Sequence, residues 1–87
     1  MNNTSSNSPH TLLELHEIRR IYQRFNKGDK SLTDVELLKL KNHMYKTYNV
    51  LLPLGDRFRL AALESLRIYD SVCDVCNNRE LPMDYIV

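Results

Sequence analysis

Apolar residues recur in the second half of the chain at the three- and four-residue spacing of an α-helix. Between residues 54 and 77 they form two neighbouring rows, one of Phe58, Ala62, Leu66, Tyr69, Cys73 and Cys76 and one of Ala61, Ile68, Val72 and Val75. The apolar stripe of an ordinary surface helix is narrower than two rows. The pattern therefore predicts a helix over residues 54–77 that has packing partners on two sides, with Leu66 near the centre of the core.

A helix over residues 33–48 is predicted because its start carries a capping sequence. Thr33 can accept a hydrogen bond from the backbone N–H of Glu36, whose side chain can reach back to Thr33. The apolar positions that follow at helical spacing are Leu37, Leu40, Met44 and Tyr48. The connection to the next helix is short and apolar and contains Pro53, so these two helices are expected to pack as a hairpin.

The first helix is predicted over residues 11–26. Its apolar stripe consists of Leu12, Leu15, Ile18, Tyr22 and Phe25. Gly28 can adopt the left-handed conformation that closes a helix. Residues 1–9 are rich in Asn and Ser and have no helical period, so they are predicted to be a flexible segment.

These elements predict an all-α fold, a small three-helix bundle with helices at roughly 11–26, 33–48 and 54–77. The predicted organisation is a flexible segment over residues 1–9, a single helical domain over residues 10–78, and an apolar tail over residues 79–87. A chain of 87 residues has room for one core, and 43% apolar with 26% charged residues is the composition of a folded protein.

Charge and hydropathy indicate the compartment. Residues 1–49 carry eight Lys or Arg against five Asp or Glu, and residues 50–87 carry four against six, so the net charges are +3 and −2. No apolar run approaches the roughly 18 residues of a membrane span, and the N-terminal sequence lacks the pattern of a secretion signal. A cytoplasmic protein with no membrane partner is expected.

Cys73 and Cys76 have half of the spacing of a structural zinc site. Two of His10, His16 and His43 would have to complete such a site, and these histidines show no paired spacing. Both cysteines lie on the row expected to face the core, and small buried thiols explain them more simply. No metal or cofactor is therefore predicted, and a zinc-stabilised mini-domain stays an alternative.

Basic residues line the polar sides of the first two helices. They are Arg20, Arg24 and Lys27 on the first helix and Lys39 and Lys46 on the second. Together they could follow the phosphates of a nucleic acid. Acidic residues on the same helices reduce the net positive charge. A small nucleic-acid-binding regulator is therefore kept as the alternative function.

The C-terminal tail is unusually apolar. Its large side chains are Leu81, Met83, Tyr85, Ile86 and Val87. Apolar residues at a terminus either pack back over the fold or contact a partner, since leaving them in water favours aggregation. These five residues are the predicted protein-binding site.

Catalytic motifs are absent from the sequence: there is no Gly-rich phosphate loop, no Gly-x-Ser-x-Gly and no His-Glu-x-x-His. No enzyme activity and no small-molecule substrate are expected. In pattern, residues 31–66 resemble the short helical accessory proteins of bacteriophages and other mobile elements, which implies a protein that binds and then inhibits or redirects a host protein. The leading hypothesis is a non-enzymatic protein-interaction module whose partner is another protein or a second copy of itself.

Overall fold

The chain folds into three α-helices in the computed structural model, which describes the backbone of residues 3–81 and the side chains of residues 14–81. The helices are α1 (Asn3–Asn26), α2 (Asp34–Leu51) and α3 (Arg59–Asn78), and two short 3-10 turns, Leu52–Leu54 and Asp56–Phe58, connect α2 to α3. No strand occurs within residues 3–81. The predicted all-α class and its three helices are confirmed.

The chain divides into two compact units, Met1–Leu32 and Thr33–Val87. In the first unit α1 begins at Asn3 rather than at the predicted Thr11. The segment predicted to be flexible therefore has helical backbone from Asn3 onward, because helical hydrogen bonding propagates from an established helix at little further cost per residue. The single domain predicted over residues 10–78 stays a prediction.

The end of α1 is closed by Gly28, as predicted. The N–H of Gly28 donates to the carbonyl of Phe25 and the N–H of Asp29 donates to the carbonyl of Arg24, both at 3.0 Å. Gly28 has a φ of 77°, so its backbone is left-handed. This pair of bonds is the Schellman arrangement, which satisfies helix-end carbonyls that would otherwise lack a donor.

The start of α2 is fixed by the predicted capping box. Thr33 Oγ1 accepts from the N–H of Glu36 at 3.1 Å, and Glu36 Oε1 accepts from the N–H of Thr33 at 2.8 Å. Two backbone donors at the helix start are thereby satisfied by side chains. The prediction of a helix start at this point is confirmed.

Helices α2 and α3 pack as an antiparallel hairpin, as predicted. Arg79 Nη1 donates to Asp34 Oδ1 at 2.9 Å, so the end of α3 lies beside the start of α2. Midway along the hairpin the rings of Tyr45 and Tyr69 lie with their centroids 5.3 Å apart. These two contacts fix the register of the hairpin.

Helix α3 begins at Arg59, five residues after its predicted start at Leu54. Gly55 has a φ of 97° and a ψ of −170°, far from helical values, and it separates the two 3-10 turns. Hydrophobic spacing alone predicted the longer helix, because Phe58 is in phase with the residues of α3. Because Gly55 is not helical, the helix does not extend back to Leu54.

The buried positions of the hairpin lie in the first half of α2 and along most of α3. The buried positions of α2 are Leu37, Leu38, Leu40 and Lys41, and those of α3 are Ala62, Ser65, Ile68, Val72 and Cys76. Leu66, predicted to be central, is only half-buried. Ala62 and Cys76 belong to the first predicted row, and Ile68 and Val72 belong to the second. Ser65, which belongs to neither row, is buried where Leu66 was expected.

A second Schellman arrangement closes α3. The N–H of Glu80 donates to the carbonyl of Asn77 at 3.0 Å, and the N–H of Leu81 donates to the carbonyl of Cys76 at 2.9 Å. Glu80 occupies the left-handed position with a φ of 60°. A residue with a Cβ is strained in this conformation, in which glycine is the usual residue.

Candidate interaction surface

A group of large apolar side chains is exposed where α2 turns into α3. We call it the turn patch; its members are Val50, Leu52, Leu54, Phe58, Leu60 and Leu63. They come from the last turn of α2, the two 3-10 turns and the first turns of α3, which are neighbours in the fold. Leu60 is the most exposed large apolar residue in the described part of the chain, with 82% of its surface accessible.

The local backbone explains why Leu52, Leu54 and Phe58 are not buried. Neither 3-10 turn contains a buried residue. A three-residue turn has no continuous face that can pack against a helix, and Pro53 and Gly55 interrupt the chain where a longer helix would have turned its apolar side inward. The other three members lie in α-helices, Val50 in α2 and Leu60 and Leu63 in α3, on sides of those helices that are exposed.

The members of the turn patch together expose a substantial apolar area. They are on average about half exposed, which summed over the six residues is on the order of 500 Å². The largest apolar patch of an ordinary monomer is roughly 300–600 Å² and often marks a binding site.

Among the described residues, no helix combines the length and apolar character needed to cross a membrane.

Charged side chains border the turn patch. Asp56, Arg57 and Arg59 are all exposed and lie between its apolar members in sequence. Within the described part of the chain, none of these three side chains has an ion-pair partner. Farther along α3, Arg67 Nη2 and Glu64 Oε2 form an exposed ion pair at 2.6 Å, and hydrogen bonding from Arg67 lowers the pKa of Glu64. The patch thus has both a carboxylate and guanidinium groups at its edge.

The predicted binding site in the tail lies almost wholly outside the described residues. Leu81 is described and is half-buried, and its N–H closes the end of α3. Met83, Tyr85, Ile86 and Val87 lie outside the described range. Leu81 thus has a structural role at the helix end, and the binding role of the tail stays a prediction.

Among the basic residues predicted on the first helix, Arg24 forms an ion pair, and the nucleic-acid-binding role of these residues stays a prediction. Arg20 and Lys27 are exposed, but Arg24 Nε donates to Asp29 Oδ2 at 2.9 Å. Asp29 Oδ1 also accepts from the side chain and backbone N–H of Ser31, at 2.6 and 2.9 Å. These bonds, led by that from the Ser31 hydroxyl, hold the pKa of Asp29 well below its usual range. Arg24 therefore organises the loop after α1.

On α2, Lys39 is half-buried and Lys46 is exposed. They are seven residues apart, about 10 Å along the helix axis. His43, between them, is half-buried, and its pKa is lowered by burial and by the charge of Lys46. A neutral imidazole contributes no positive charge. Lys39 and Lys46 are therefore two positive charges about 10 Å apart with no third charge between them at His43.

The two cysteines are free thiols in the packed half of α3. Cys76 is fully buried and Cys73 is half-buried. Burial raises the pKa of both thiols, although the nearby charge of Lys41 acts in the opposite direction. Thiols with raised pKa values are protonated and poorly nucleophilic at neutral pH. The residues that the structure describes contain no group of three or more His, Cys, Asp or Glu side chains placed to hold a metal ion.

Sequence patterns did not predict that Lys41 is buried, and they placed Tyr69 only in an apolar row of the third helix. Lys41 is 3% exposed, although lysine is rarely buried. A hydrogen bond with Cys73, together with burial, raises the pKa of Tyr69. Lys41 lies in the first half of α2 and Tyr69 lies in the middle of α3. Neither residue has an exposed surface comparable to the turn patch.

Sequence analysis also missed the turn patch, although a signal was present. Seven large apolar residues occur within positions 50–63: Val50, Leu51, Leu52, Leu54, Phe58, Leu60 and Leu63. That density is high for a connection that contains a proline and a glycine. A proline and a glycine among large apolar residues predict that some of the apolar side chains are exposed, because the backbone cannot place all of them on a single buried face there.

No protein-family model, no curated protein and no solved structure matches the chain. The turn patch, the basic residues and the cysteine pair are therefore interpreted from their own geometry and charge.

Proposed function

We propose that this chain is a non-enzymatic, cytoplasmic protein-interaction module that binds another protein chain through the turn patch. The supporting observation is the exposure of Leu60 and the five other members of the turn patch, which lie at or near the turn between α2 and α3. Covering such a patch removes apolar surface from water, which is the main favourable term in protein association. The proposed mechanism is occupancy of a surface, without covalent chemistry.

The charged border would orient the bound chain. Arg57 and Arg59 are exposed guanidinium groups beside the apolar patch, and guanidinium groups pair well with carboxylates at interfaces. Residues of this kind surround the apolar centre of typical protein interfaces. The resemblance to phage accessory proteins suggests inhibition or redirection of a host protein as the consequence of binding.

The proposal can be tested by recovering partners with three forms of the tagged chain. Leu60→Glu places a charge at the most exposed member of the turn patch. Val35→Glu is the matched control, because Val35 is 50% exposed and lies in the first turn of α2, at the other end of the hairpin. Each recovery from native cells is quantified by mass spectrometry, and circular dichroism checks that both variants are folded.

The expected result is loss of specific partners with Leu60→Glu and retention with Val35→Glu. Equal recovery by all three forms would contradict the proposal, since binding would not involve the turn patch. Recovery that disappears on nuclease treatment, or that falls steeply with salt, would instead support the nucleic-acid alternative.

A further inference from the structure

We propose that Cys73 and Cys76 bind a single Cu(I) ion, and that the buried Lys41 compensates the charge of the resulting bis-thiolate complex. The site is formed by α2 and α3 and uses no residue of the turn patch, so it goes beyond the proposed function. Cu(I) is a soft ion that prefers thiolate ligands and is stable with only two of them. The sequence was weighed only against zinc, which takes four ligands.

The first observation is that the two thiols have the spacing that an ion with two ligands requires. Cys73 and Cys76 are both free and lie three residues apart on α3. Residues at this spacing lie on one side of a helix, with their Cβ atoms about 5–6 Å apart. Metal–thiolate bonds are about 2.3 Å long, so an ion between two sulfurs separates them by at most about 4.6 Å. Each sulfur is one bond beyond its Cβ, so the two side chains can converge on one ion.

The second observation is that Lys41 lies level with these thiols in the hairpin. Tyr45 and Tyr69 face each other, with ring centroids 5.3 Å apart. Because α2 and α3 are antiparallel, Lys41, one turn before Tyr45, is opposite Cys73, one turn after Tyr69. The ion pair between the end of α3 and the start of α2 gives the same register. In agreement, the charge of Lys41 acts on both thiols.

The third observation is that the positive charge of Lys41 is buried, with only 3% of the residue exposed. Placing a lysine there costs desolvation energy, and two neutral thiols do not offset that cost. One Cu(I) ion displaces one proton from each thiol, so the bound complex has a net charge of minus one. A cation beside this complex stabilises it, because buried charges are stable when they are paired.

The surroundings of the thiols favour Cu(I) over a hydrated divalent ion. Cys76 and Val72, one turn apart on α3, are both 0% exposed, whereas the half-buried Cys73 gives the ion a route from solvent. The Tyr69 side chain hydrogen-bonds to Cys73, and a bond of this kind orients a metal ligand. Burial raises the pKa of both thiols, so both protons are released when the ion binds at neutral pH.

Titration of the reduced full chain with Cu(I), without oxygen and against bicinchoninate as a coloured competitor, tests the proposal. Wild type should take one ion per chain from the competitor and release two protons per ion. Its melting temperature should rise, because an ion that binds the folded state stabilises it. Cys73→Ser should abolish all three effects. Cys73 is half-buried, so this variant should fold, and circular dichroism checks that it does.

A charge-removal variant tests the role of Lys41. Loss of a group that supports metal ligands typically lowers metal affinity about 10–100-fold, and Lys41→Met should have an effect of this size without changing the number of ions bound. Lys39→Met is the matched control, because Lys39 lies two residues away on the opposite side of α2, and it should bind Cu(I) like wild type. A change in melting temperature with no change in Cu(I) affinity would overturn the charge compensation by Lys41.

Retention of all Cu(I) by bicinchoninate in the presence of wild type would overturn the proposal, as would equal binding by wild type and Cys73→Ser. Half an ion per chain would also overturn it, since the ligands would then come from two chains. One Zn(II) per chain bound in preference to Cu(I) would assign the thiols to the zinc-stabilised alternative instead. Leu60→Glu should bind Cu(I) like wild type, so the ion site and the turn patch are tested on different residues.

Discussion

The position of the hairpin core can be tested by comparing Leu40→Ala with Leu66→Ala. Leu40 is 0% exposed, whereas Leu66, the centre of the core by sequence spacing, is half-buried. Both residues lie inside α-helices, so the change in helix propensity is the same and cancels. Truncating a fully buried leucine costs about 2–5 kcal/mol, and the cost falls with the apolar area and contacts that are lost.

Leu40→Ala should therefore destabilise the protein by at least about 1 kcal/mol more than Leu66→Ala, a difference of roughly 4–8 °C in melting temperature for a domain of this size. Urea unfolding followed by far-ultraviolet circular dichroism gives both free energies of unfolding, and similar slopes with urea would show that the unfolded states are comparable. If Leu66→Ala is as damaging as Leu40→Ala, the packing of α3 against α2 described above is wrong.

Three further changes probe local features. Glu80→Gly should raise the free energy of unfolding by about 1 kcal/mol, because glycine has no strain at a φ of 60°; a lower midpoint in urea would contradict the helix closure. Thr33→Ala should lower it by about 1 kcal/mol through loss of the bond to Glu36, and an unchanged midpoint would refute the importance of the capping box. Because burial lowers the pKa of folded His43 below 6.5, the unfolded chain binds its proton more readily and stability should fall as the pH drops below 6.5. His43→Gln should make the melting temperature depend less on pH between pH 6.5 and about pH 5. A pH dependence equal to that of the wild type would contradict this explanation.

Local chemistry explains which parts of the fold could be predicted from the sequence. The Thr33–Glu36 capping box and the Gly28 closure depend on residues within a few positions of each other, and both occur as predicted. The hairpin follows from a short connection between two amphipathic helices. These features need no knowledge of distant contacts.

The misplacement of Leu66 has a different cause. Two apolar rows on α3 were both compatible with a core, and the choice between them depends on how α2 lies against α3. Ser65 is buried, and its hydroxyl donates to the carbonyl of Ala61 at 3.1 Å, so a polar residue is tolerated there. Periodicity cannot identify such a position, because it counts serine as polar.

The turn patch was not identified from the sequence, and the apolar tail stays a predicted binding site. An apolar terminus such as Tyr85–Val87 attracts attention because termini are usually polar. Leu54 and Phe58 were instead assigned to the helix predicted over residues 54–77, and a helix offers them a buried face. Only the break at Gly55 shows that these two residues belong to short turns without such a face.

Buried positions and the proposed contact surface involve different residues of the hairpin. Every buried position of α2 lies within residues 37–41, whereas Val50 of the turn patch is near the end of that helix. In α3, Ala62 and Ser65 are buried, whereas Leu60 and Leu63 are exposed. Substitutions in the patch remove few contacts of the folded chain, so they should alter association far more than unfolding. Substitutions such as Leu40→Ala should do the reverse. A small domain with this arrangement can present an apolar contact surface without making its fold depend on the residues that form it.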